Sequence, residues 1–129
     1  PKDMLDIPAT ISWLTGAGVR VLGIGTDRCT GYIFPSADVP LSGRLDKETL
    51  PADCRQLLLL NPIPEKERVQ DLSLLAQGIA AGKQAEAEGR YYHPAANAAF
   101  DRLTGGLSSR LQLRSIIANA LMAQKLTNA

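Results

Sequence analysis

Side chains able to do covalent or acid–base chemistry are few in this sequence. Lys2 lies four residues before Asp6, where a helix is predicted to start. The positive end of a helix dipole lowers the pKa of a nearby desolvated amine, which favours its neutral, nucleophilic form. A lysine at such a position is nevertheless typical of a solvated charge. His93 is the only histidine, and its place before Pro94 at a predicted helix start is more typical of a capping or surface residue than of a catalytic base. The residue types alone leave one candidate nucleophile and no catalytic triad.

A stripe of polar side chains follows one side of the last predicted helix. Ser108, Gln112, Ser115 and Asn119 recur at spacings of four, three and four residues, which places them on one helix face. Such a stripe normally faces water. It borders a ligand pocket instead if Gly105-Gly106 lets the helix N-terminus approach a ligand closely. Both interpretations stay open at the level of the sequence.

Other patterns that suggest a cofactor or a metal are incomplete. The segment Gly23-Ile24-Gly25-Thr26-Asp27-Arg28 matches half of the dinucleotide-binding fingerprint. It lacks the third glycine and no helical period follows, so the favoured interpretation is a tight turn after a strand. Asp, Glu and His are scattered without metal-ligand spacing. Cys29 and Cys54 also lack a partner at such spacing, which favours reduced cytosolic thiols over a disulfide.

The composition is that of an ordinary globular domain. The 129 residues are 45% hydrophobic and 21% charged, with 14 Lys and Arg against 13 Asp and Glu and a net charge of +1. A chain of this length buries a core without disulfides or metals, and intrinsic disorder and collagen are excluded. The balanced charge argues against a nucleic-acid partner, because phosphate backbones are bound by clustered Lys and Arg. No apolar stretch approaches the roughly 20 residues that cross a bilayer, so no membrane partner is expected.

The first half of the chain is predicted to alternate between helix and strand. Apolar spacing predicts a helix over Ile7–Gly18, and the β-branched run after it predicts a strand over Val19–Ile24 that is buried on both faces. Residues 27–54 are predicted to be a long irregular excursion, apart from a short strand around 39–45. The apolar run Leu57–Leu60 predicts a second buried strand, which ends where Pro62 and Pro64 remove backbone donors.

The second half is predicted to be helical. Helices are expected over 65–88, from Pro94 as first residue to 103, and over 108–124. The last of them has an apolar face made by Leu113, Ile116, Ile117, Ala120 and Leu121. A helix that feeds a buried strand is typical of a layered α/β domain.

The predicted sheet is incomplete. Two buried strands are too few, because sheets of this class usually contain about five or six strands. We therefore expect the missing strands to come from elsewhere in a longer chain or from another subunit. The predicted fold class is α/β, with an incomplete sheet and a helical C-terminal half.

Four short motifs, in the same order and at similar spacing, resemble the pseudouridine-5'-phosphate glycosidase family, also called the indigoidine synthase A family. They are Lys2-Asp3-Met4-Leu5-Asp6-Ile7-Pro8, Gly23-Ile24-Gly25-Thr26-Asp27, Asn61-Pro62-Ile63-Pro64, and Leu103-Thr104-Gly105-Gly106 followed by Ser108. Asn119-Ala120 continues the match in the last helix. The resemblance covers nearly all of residues 1–129 but only the C-terminal part of the family's chain. Residues 1–129 are accordingly expected to be the C-terminal part of a single α/β/α layered domain.

The resemblance implies an enzyme that reversibly cleaves the C–C glycosidic bond of pseudouridine 5'-phosphate to uracil and ribose 5-phosphate. Lys2 falls on the family's lysine that attacks the sugar C1′ and forms a Schiff base with the opened ribose. Asn61, Ser108 and Gln112 fall in the segments expected to bind the substrate. The family further implies a divalent cation, manganese, held by residues outside this segment. It also implies a homotrimer and a cytoplasmic location.

Departures from the family pattern leave three functions open. Gln112 stands where the family has an asparagine that contacts the base, and it places the same amide one methylene farther out. The family's Tyr-Thr-Arg-Ser-Ser-Gly segment is replaced by Ile33–Asp38, and its Thr-Pro-Phe segment by His93-Pro94-Ala95. The alternatives are a pseudouridine-type glycosidase, a C-glycosynthase that joins ribose 5-phosphate to another aromatic acceptor, and a non-catalytic subunit that retains the fold.

Overall fold

The computed structural model of the chain describes residues 1–46 and 49–128; Lys47 and Glu48, in the stretch predicted to be irregular, lie outside the described residues, as does Ala129. The helices are α1 (Ile7–Gly16), α2 (Leu72–Ala87), α3 (Tyr92–Leu103) and α4 (Leu107–Thr127), with a 3₁₀ turn at Glu65–Glu67. The strands are β1 (Arg20–Ile24), β2 (Arg28–Cys29), β3 (Val39–Pro40), β4 (Gly43–Leu45) and β5 (Leu57–Leu60). The predicted class is confirmed: a mixed α/β fold with a small sheet and a helical C-terminal half.

The main sheet has three parallel strands in the order β4-β1-β5. In the central strand β1, Leu22 pairs with Gly43 of β4 and with Leu59 of β5. Helix α1 packs on this sheet, because its residues Ile7 and Ile11 form one buried cluster with Val21. Since the three strands run in the same direction, their carboxyl ends meet at one edge of the sheet.

The second face of the main sheet is only half-covered. Val21 has 0% exposure, whereas Leu22, Ile24 and all residues of β5 are half-buried. The prediction that β1 is buried on both faces is therefore wrong for this chain, and β5, which is predicted to be buried, is half-buried. Burial on both faces requires a packed layer on each side of a parallel sheet, and α1 covers one side.

The stretch predicted to be irregular contains three short strands. β2 and β3 form a separate antiparallel pair, and β4 joins the main sheet. The single strand predicted around 39–45 is thus two strands in two sheets. It divides after Leu41: the Leu41 N–H still donates to the Asp27 carbonyl at 2.8 Å in the β2–β3 register, whereas the Ser42 N–H donates to the Val21 carbonyl of β1 at 2.9 Å.

Two helices begin at residues other than the predicted ones. Only a 3₁₀ turn forms at the start of the helix predicted over 65–88. α2 begins at Leu72, where the Asp71 carboxylate accepts a backbone N–H at 2.9 Å and caps the helix. α3 begins at Tyr92, so Pro94 is its third residue rather than its first. The first and the third position of a helix both suit proline, because N–H groups in the first turn have no intrahelical acceptor.

The longest helix, α4, turns its polar stripe inward. Ser108 and Ser115 are buried, and Leu111 lies beside them in the core. The apolar side chains on the opposite side are exposed: Leu113 by 59%, Ile116 by 64%, Ile117 by 52% and Leu121 by 56%. The interpretation in which the polar stripe faces water is therefore wrong for Ser108 and Ser115, whereas Gln112 is half-buried and Asn119 is exposed. An apolar patch of this kind is typical of a surface that another layer covers.

A second core joins the N-terminal segment to the helices. It contains Met4 and Leu111 together with Phe34 and Phe100, whose ring centroids lie 5.4 Å apart. Gly78 allows α2 to approach α3 closely, because a Cβ at this position would lie 1.9 Å from the Phe100 ring. The helices are thereby fixed relative to residues 1–6, the segment that carries Lys2.

Candidate active site

An open cleft lies at the edge of the main sheet where the parallel strands end. Its volume is about 250 Å³, and its lining includes Thr26, which follows β1, and Asn61, which directly follows β5. We call it the strand-end cleft; it is also lined by Lys2, Arg28, Thr30, Tyr32, Ser115 and Asn119. Ligands of open α/β sheets bind outside the carboxyl ends of the strands, so this is the expected place for a site.

The strand-end cleft is positively charged. Lys2 and Arg28 line it, and none of its lining residues in the described part of the chain is Asp or Glu. Arg28 forms an exposed ion pair with Asp38, and the hydrogen bond to this carboxylate raises the pKa of the guanidinium. Lys2 is the cation of this lining for which no ion pair with a described residue is found, and a cation at a cleft attracts an anionic ligand.

A second, smaller cavity is also lined by Lys2. Its volume is about 30 Å³, and its polar lining comprises Asp3, Asn97, Ser108 and Gln112 as well. We call it the inner cavity. Ser108 is 1% exposed, and its Oγ has no hydrogen-bond partner among the described residues. A polar cavity of this size accommodates one water molecule or one polar group of a ligand.

The predicted substrate-binding residues divide between these two spaces. Ser108 and Gln112 line the inner cavity, Asn61 lines the strand-end cleft, and Lys2 lines both. The Asn61 Nδ2 donates to the Asn119 Oδ1 at 3.2 Å, which joins the end of β5 to α4. The structure thus places Lys2 beside both sets of amides but does not bring Asn61 and Gln112 into one cavity.

Asp3 anchors the segment that carries Lys2, a role that no sequence pattern predicts. Its carboxylate accepts four hydrogen bonds: from the backbone N–H of Tyr32 at 2.8 Å, Ile33 at 2.7 Å and Phe34 at 3.2 Å, and from the Ser36 hydroxyl at 2.6 Å. Successive N–H groups that surround one anion form a backbone nest. Asp3 and Ile33 are 30 residues apart in sequence, so the nest fixes two distant segments to each other.

The backbone around Lys2 is ordered, whereas its side chain is exposed. The Lys2 carbonyl accepts the Leu5 N–H at 3.1 Å, and α1 begins after Asp6, whose carboxylate accepts the Ala9 N–H at 2.9 Å. The helix start therefore lies where the sequence predicts it. The described residues alone do not provide the desolvated environment that a nucleophilic amine requires.

Tyr92 attaches α3 to the same N-terminal segment. Its hydroxyl donates to the Met4 carbonyl at 3.0 Å. Burial raises the pKa of Tyr92, and the nearby Glu86 carboxylate raises it further. The phenol therefore stays protonated, and able to donate this hydrogen bond, throughout the neutral range.

The substitution Tyr92→Phe is expected to lower the free energy of unfolding by about 1 kcal/mol, because it removes the hydrogen bond to the Met4 carbonyl and little else. Urea denaturation measures the change. Tyr91→Phe is the matched control, since Tyr91 is 85% exposed, and it should have almost no effect. Equal effects of the two substitutions would show that the hydrogen bond is not responsible.

Three other sequence patterns have structural explanations. His93 is exposed on α3, where its ring stands edge-on to the Tyr92 ring with centroids 5.6 Å apart. The segment 23–28 ends β1 in a turn, with Gly25 at φ +75°, and no helix follows it. Cys29 is buried and Cys54 is exposed, and both are free thiols. The surface, turn and thiol interpretations are thus confirmed.

The described residues hold no group of three or more His, Cys, Asp or Glu side chains that could bind a metal ion. The residues present therefore do not fit a manganese ion by themselves.

The helices were also compared with the length and hydropathy that a membrane span requires. Within 1–46 and 49–128, no helix is long and apolar enough to cross a membrane.

Comparison with known proteins shows which proteins this α/β chain resembles. No family model matches the chain. Relatives named pseudouridine-5'-phosphate glycosidase match it over nearly its whole length. The one from Methylobacterium nodulans is 29% identical, with 99% of this chain and 42% of the relative covered, and the one from Thermus thermophilus is 28% identical, with 100% of this chain and 50% of the relative covered. The resemblance to this family is therefore confirmed, and the chain spans at most half the length of these curated relatives.

A solved structure agrees with this result. The prealnumycin C-glycosynthase AlnA in complex with ribulose 5-phosphate superimposes with a TM-score of 0.71 at 27% sequence identity, over 96% of this chain and 45% of the other. The arrangement of helices and strands described above is thus one that a C-glycosynthase shares.

Proposed function

We propose that this chain carries the nucleophilic half of an active site that cleaves or forms a C–C bond between the C1′ of ribose 5-phosphate and an aromatic ring, with Lys2 as the nucleophile. One observation carries the proposal. Lys2, which matches the lysine of the family motif, lies where the strand-end cleft meets the inner cavity, and the Asp3 nest holds its backbone there. The supporting relatives are named pseudouridine-5'-phosphate glycosidases.

The proposed reaction needs an amine for a chemical reason. A carbon-linked pyrimidine is a poor leaving group, and simple hydrolysis offers no group that assists its departure. An amine on C1′ supplies that assistance, because it forms an iminium as the C1′–ring bond breaks. Attack of the neutral Lys2 amine on C1′ breaks the C1′–O4′ bond, and its electron pair goes to O4′, which takes a proton. The C1′–ring bond then breaks with its electron pair on the ring carbon, which is protonated, and an iminium forms between Nζ and C1′. Water hydrolyses the iminium to release ribose 5-phosphate and the free amine.

The charge of the strand-end cleft supports a phosphorylated ligand. Lys2 and Arg28 line this cleft without an acidic residue among its described lining, and Asn61 and Asn119 present amides to the same space. Amides pair with the hydroxyl and carbonyl groups of a sugar or a base. The inner cavity, with Gln112 and Ser108, is the proposed contact for the ring.

We further propose that the chain functions as one half of a larger α/β/α domain. The chain covers 42–50% of three curated relatives. The main sheet has three strands with one half-covered face, and the outer side of α4 exposes four large apolar residues. The rest of such a domain would cover these surfaces and desolvate Lys2. A manganese ion held by residues outside this chain and a homotrimeric assembly belong to the same proposal.

Borohydride trapping tests the role of Lys2. The full-length protein, which includes the other half of the domain, is incubated with ribose 5-phosphate and sodium borohydride, because this chain should be inert by itself. Peptide mass spectrometry then locates the reduced adduct. We expect the adduct on Lys2 and its loss in Lys2→Met. The control Lys83→Met removes an exposed lysine of α2, outside both cavities, and should leave the adduct intact. An adduct spread over several lysines, or none at all, would contradict the proposal and favour a non-catalytic subunit.

A C-glycosynthase is the second candidate function. The observation in its favour is that the structural neighbour is a prealnumycin C-glycosynthase, while Gln112 replaces the family's asparagine at the inner cavity. Incubation of the protein with ribose 5-phosphate and either uracil or a polycyclic phenol distinguishes the two. A product with the phenol alone would support the synthase, and a product with uracil alone would support the glycosidase.

A further inference from the structure

A buried arginine behind the strand-end cleft has no carboxylate partner. Arg68 is only 4% exposed. Its Nε donates to the Ile63 carbonyl at 2.9 Å and its Nη1 donates to the Thr30 Oγ1 at 3.0 Å. None of the ion pairs in the described part of the chain includes Arg68. Buried guanidinium groups normally pair with an anion, because an unpaired charge in a protein interior is costly.

Thr30 connects this charge to the cleft. It lines the strand-end cleft together with Lys2. A threonine hydroxyl has one proton to donate and two lone pairs. Because the oxygen of Thr30 accepts from Arg68, its proton remains available for a ligand, and a hydroxyl that accepts from a cation is a stronger donor. The positive charge of Arg68 is thereby relayed to the cleft surface through one hydrogen bond.

The loop backbone keeps Thr30 at this position. The next residue, Gly31, has φ +125°, and a Cβ there would lie 2.1 Å from the Phe34 carbonyl oxygen. The Thr30 carbonyl accepts the Ala37 N–H at 3.2 Å, and the Asp3 nest holds the residues that follow. A donor fixed in advance in this way binds a ligand without a further cost of ordering.

We propose that Thr30 and Arg68 form an oxyanion-binding pair. Thr30 donates its hydroxyl proton to a negatively charged oxygen of the ligand in the strand-end cleft, and Arg68 is a positioning residue that orients and polarises this hydroxyl. The inference rests on the proposed function for the class of ligand, a phosphorylated sugar or the base joined to it. The oxyanion belongs either to the phosphate or to a carbonyl oxygen of the base, which gains negative charge as the C1′–ring bond breaks, and the test below distinguishes these two sources.

Binding to the whole chain is measured by NMR titration with three probes: inorganic phosphate, ribose 5-phosphate and uracil. Thr30→Val is expected to weaken binding about tenfold to a hundredfold, the effect of one lost hydrogen bond to a charged group. Thr30→Ser, which keeps the hydroxyl, should restore most of the affinity. An effect confined to phosphate and ribose 5-phosphate identifies the phosphate as the oxyanion, and an effect confined to uracil identifies a carbonyl oxygen of the base.

The role of Arg68 is tested by a double-mutant cycle. Arg68→Met should weaken binding in the wild-type background but have no further effect in Thr30→Val, because Arg68 acts through that hydroxyl. Thr10→Val in α1 and Arg90→Met after α2 are matched controls outside the cleft and should leave binding unchanged. If Arg68→Met does not fold, the comparison of Thr30→Val with Thr30→Ser still decides the proposal.

Two results would overturn the oxyanion-binding pair: equal binding by the wild type and Thr30→Val, or no binding of any probe by the wild type at millimolar concentration. Additive losses in the cycle would contradict the link between Arg68 and Thr30. The outcome is separable from that of borohydride trapping, since the titration measures non-covalent binding and contains no borohydride. If borohydride traps no adduct but Thr30-dependent binding is observed, the covalent reaction of Lys2 is rejected and the oxyanion-binding pair is retained.

Discussion

Substitution of Asp3 by alanine is expected to lower the free energy of unfolding by about 3–5 kcal/mol. The carboxylate accepts three backbone N–H groups and the Ser36 hydroxyl, and hydrogen bonds to a charged group contribute about 1.5–3 kcal/mol each before solvent partly replaces them. Loss of the anchor also releases the loop that carries Thr30 and the segment that carries Lys2. Urea denaturation measures the stability, and hydrogen exchange at the amides of Ile33 and Phe34 measures the local effect.

Asp6→Ala is the matched control for Asp3→Ala, because it removes a carboxylate from the same segment that caps one backbone N–H of α1. A helix cap contributes about 1 kcal/mol, so this control should be much milder and should leave exchange at Ile33 unchanged. Asp3→Asn should fall between the two, since its amide retains one acceptor oxygen. Equal losses for Asp3→Ala and Asp6→Ala would refute the anchoring role of the nest.

Gly78→Ala is expected to destabilise the protein by about 1–3 kcal/mol or more, the usual cost of overpacking a core. The added methyl group would lie 1.9 Å from the Phe100 ring, and this ring is 6% exposed and packs on Phe34. A buried ring held by a second ring has little room to move away. The contact between α2 and α3 must therefore widen, which thermal unfolding should register as a lower midpoint.

Gly16→Ala provides the opposite control within α1. A Cβ at Gly16 meets no atom within 4 Å, and alanine is the better helix former by roughly 1 kcal/mol. We expect a slightly higher midpoint of thermal unfolding for this variant. If Gly16→Ala raises the midpoint as expected but Gly78→Ala leaves it unchanged, the prediction is wrong. The Phe100 ring would then be able to move away from the added methyl group.

Much of the local structure follows from the sequence because its causes are local. The cap at Asp6 and the apolar spacing of Ile7 and Ile11 specify α1, and Leu57–Leu60 is a strand from its first residue to its last. The three residues of β4 were not separable from β3, because a strand this short is specified by its partner β1 and not by its own pattern. Pairing between distant segments leaves no periodic signal.

The orientation of α4 could not be predicted for a different reason. Hydrophobic spacing shows that Ile116 and Leu121 share a face, but it cannot show which neighbouring layer that face contacts. In this chain the polar stripe with Ser108 and Ser115 packs inward, and the apolar face lies outside. Amphipathic patterns therefore identify the faces of a helix without identifying what covers each one.

The candidate site was predictable only where a motif marks it. Lys2, Asn61 and Ser108 belong to motifs that resemble a known family, Gln112 stands where that family has an asparagine, and all four line the two cavities. Asp3 could not be assigned its role, because its partners are main-chain N–H groups some 30 residues away. Arg68 follows a proline-rich turn in an acidic stretch, where an arginine is normally a solvated surface charge.

The Asp3 nest has a consequence for how new specificity can arise in this domain. Three of its four donors are peptide groups, which every residue except proline possesses. The side chains at Tyr32, Ile33 and Phe34 can therefore be exchanged without removing the donors that hold the loop in place. The donors therefore fix the position of the loop independently of its side chains. Mutation and selection can vary Tyr32, which lines the cleft, while Lys2 keeps its place.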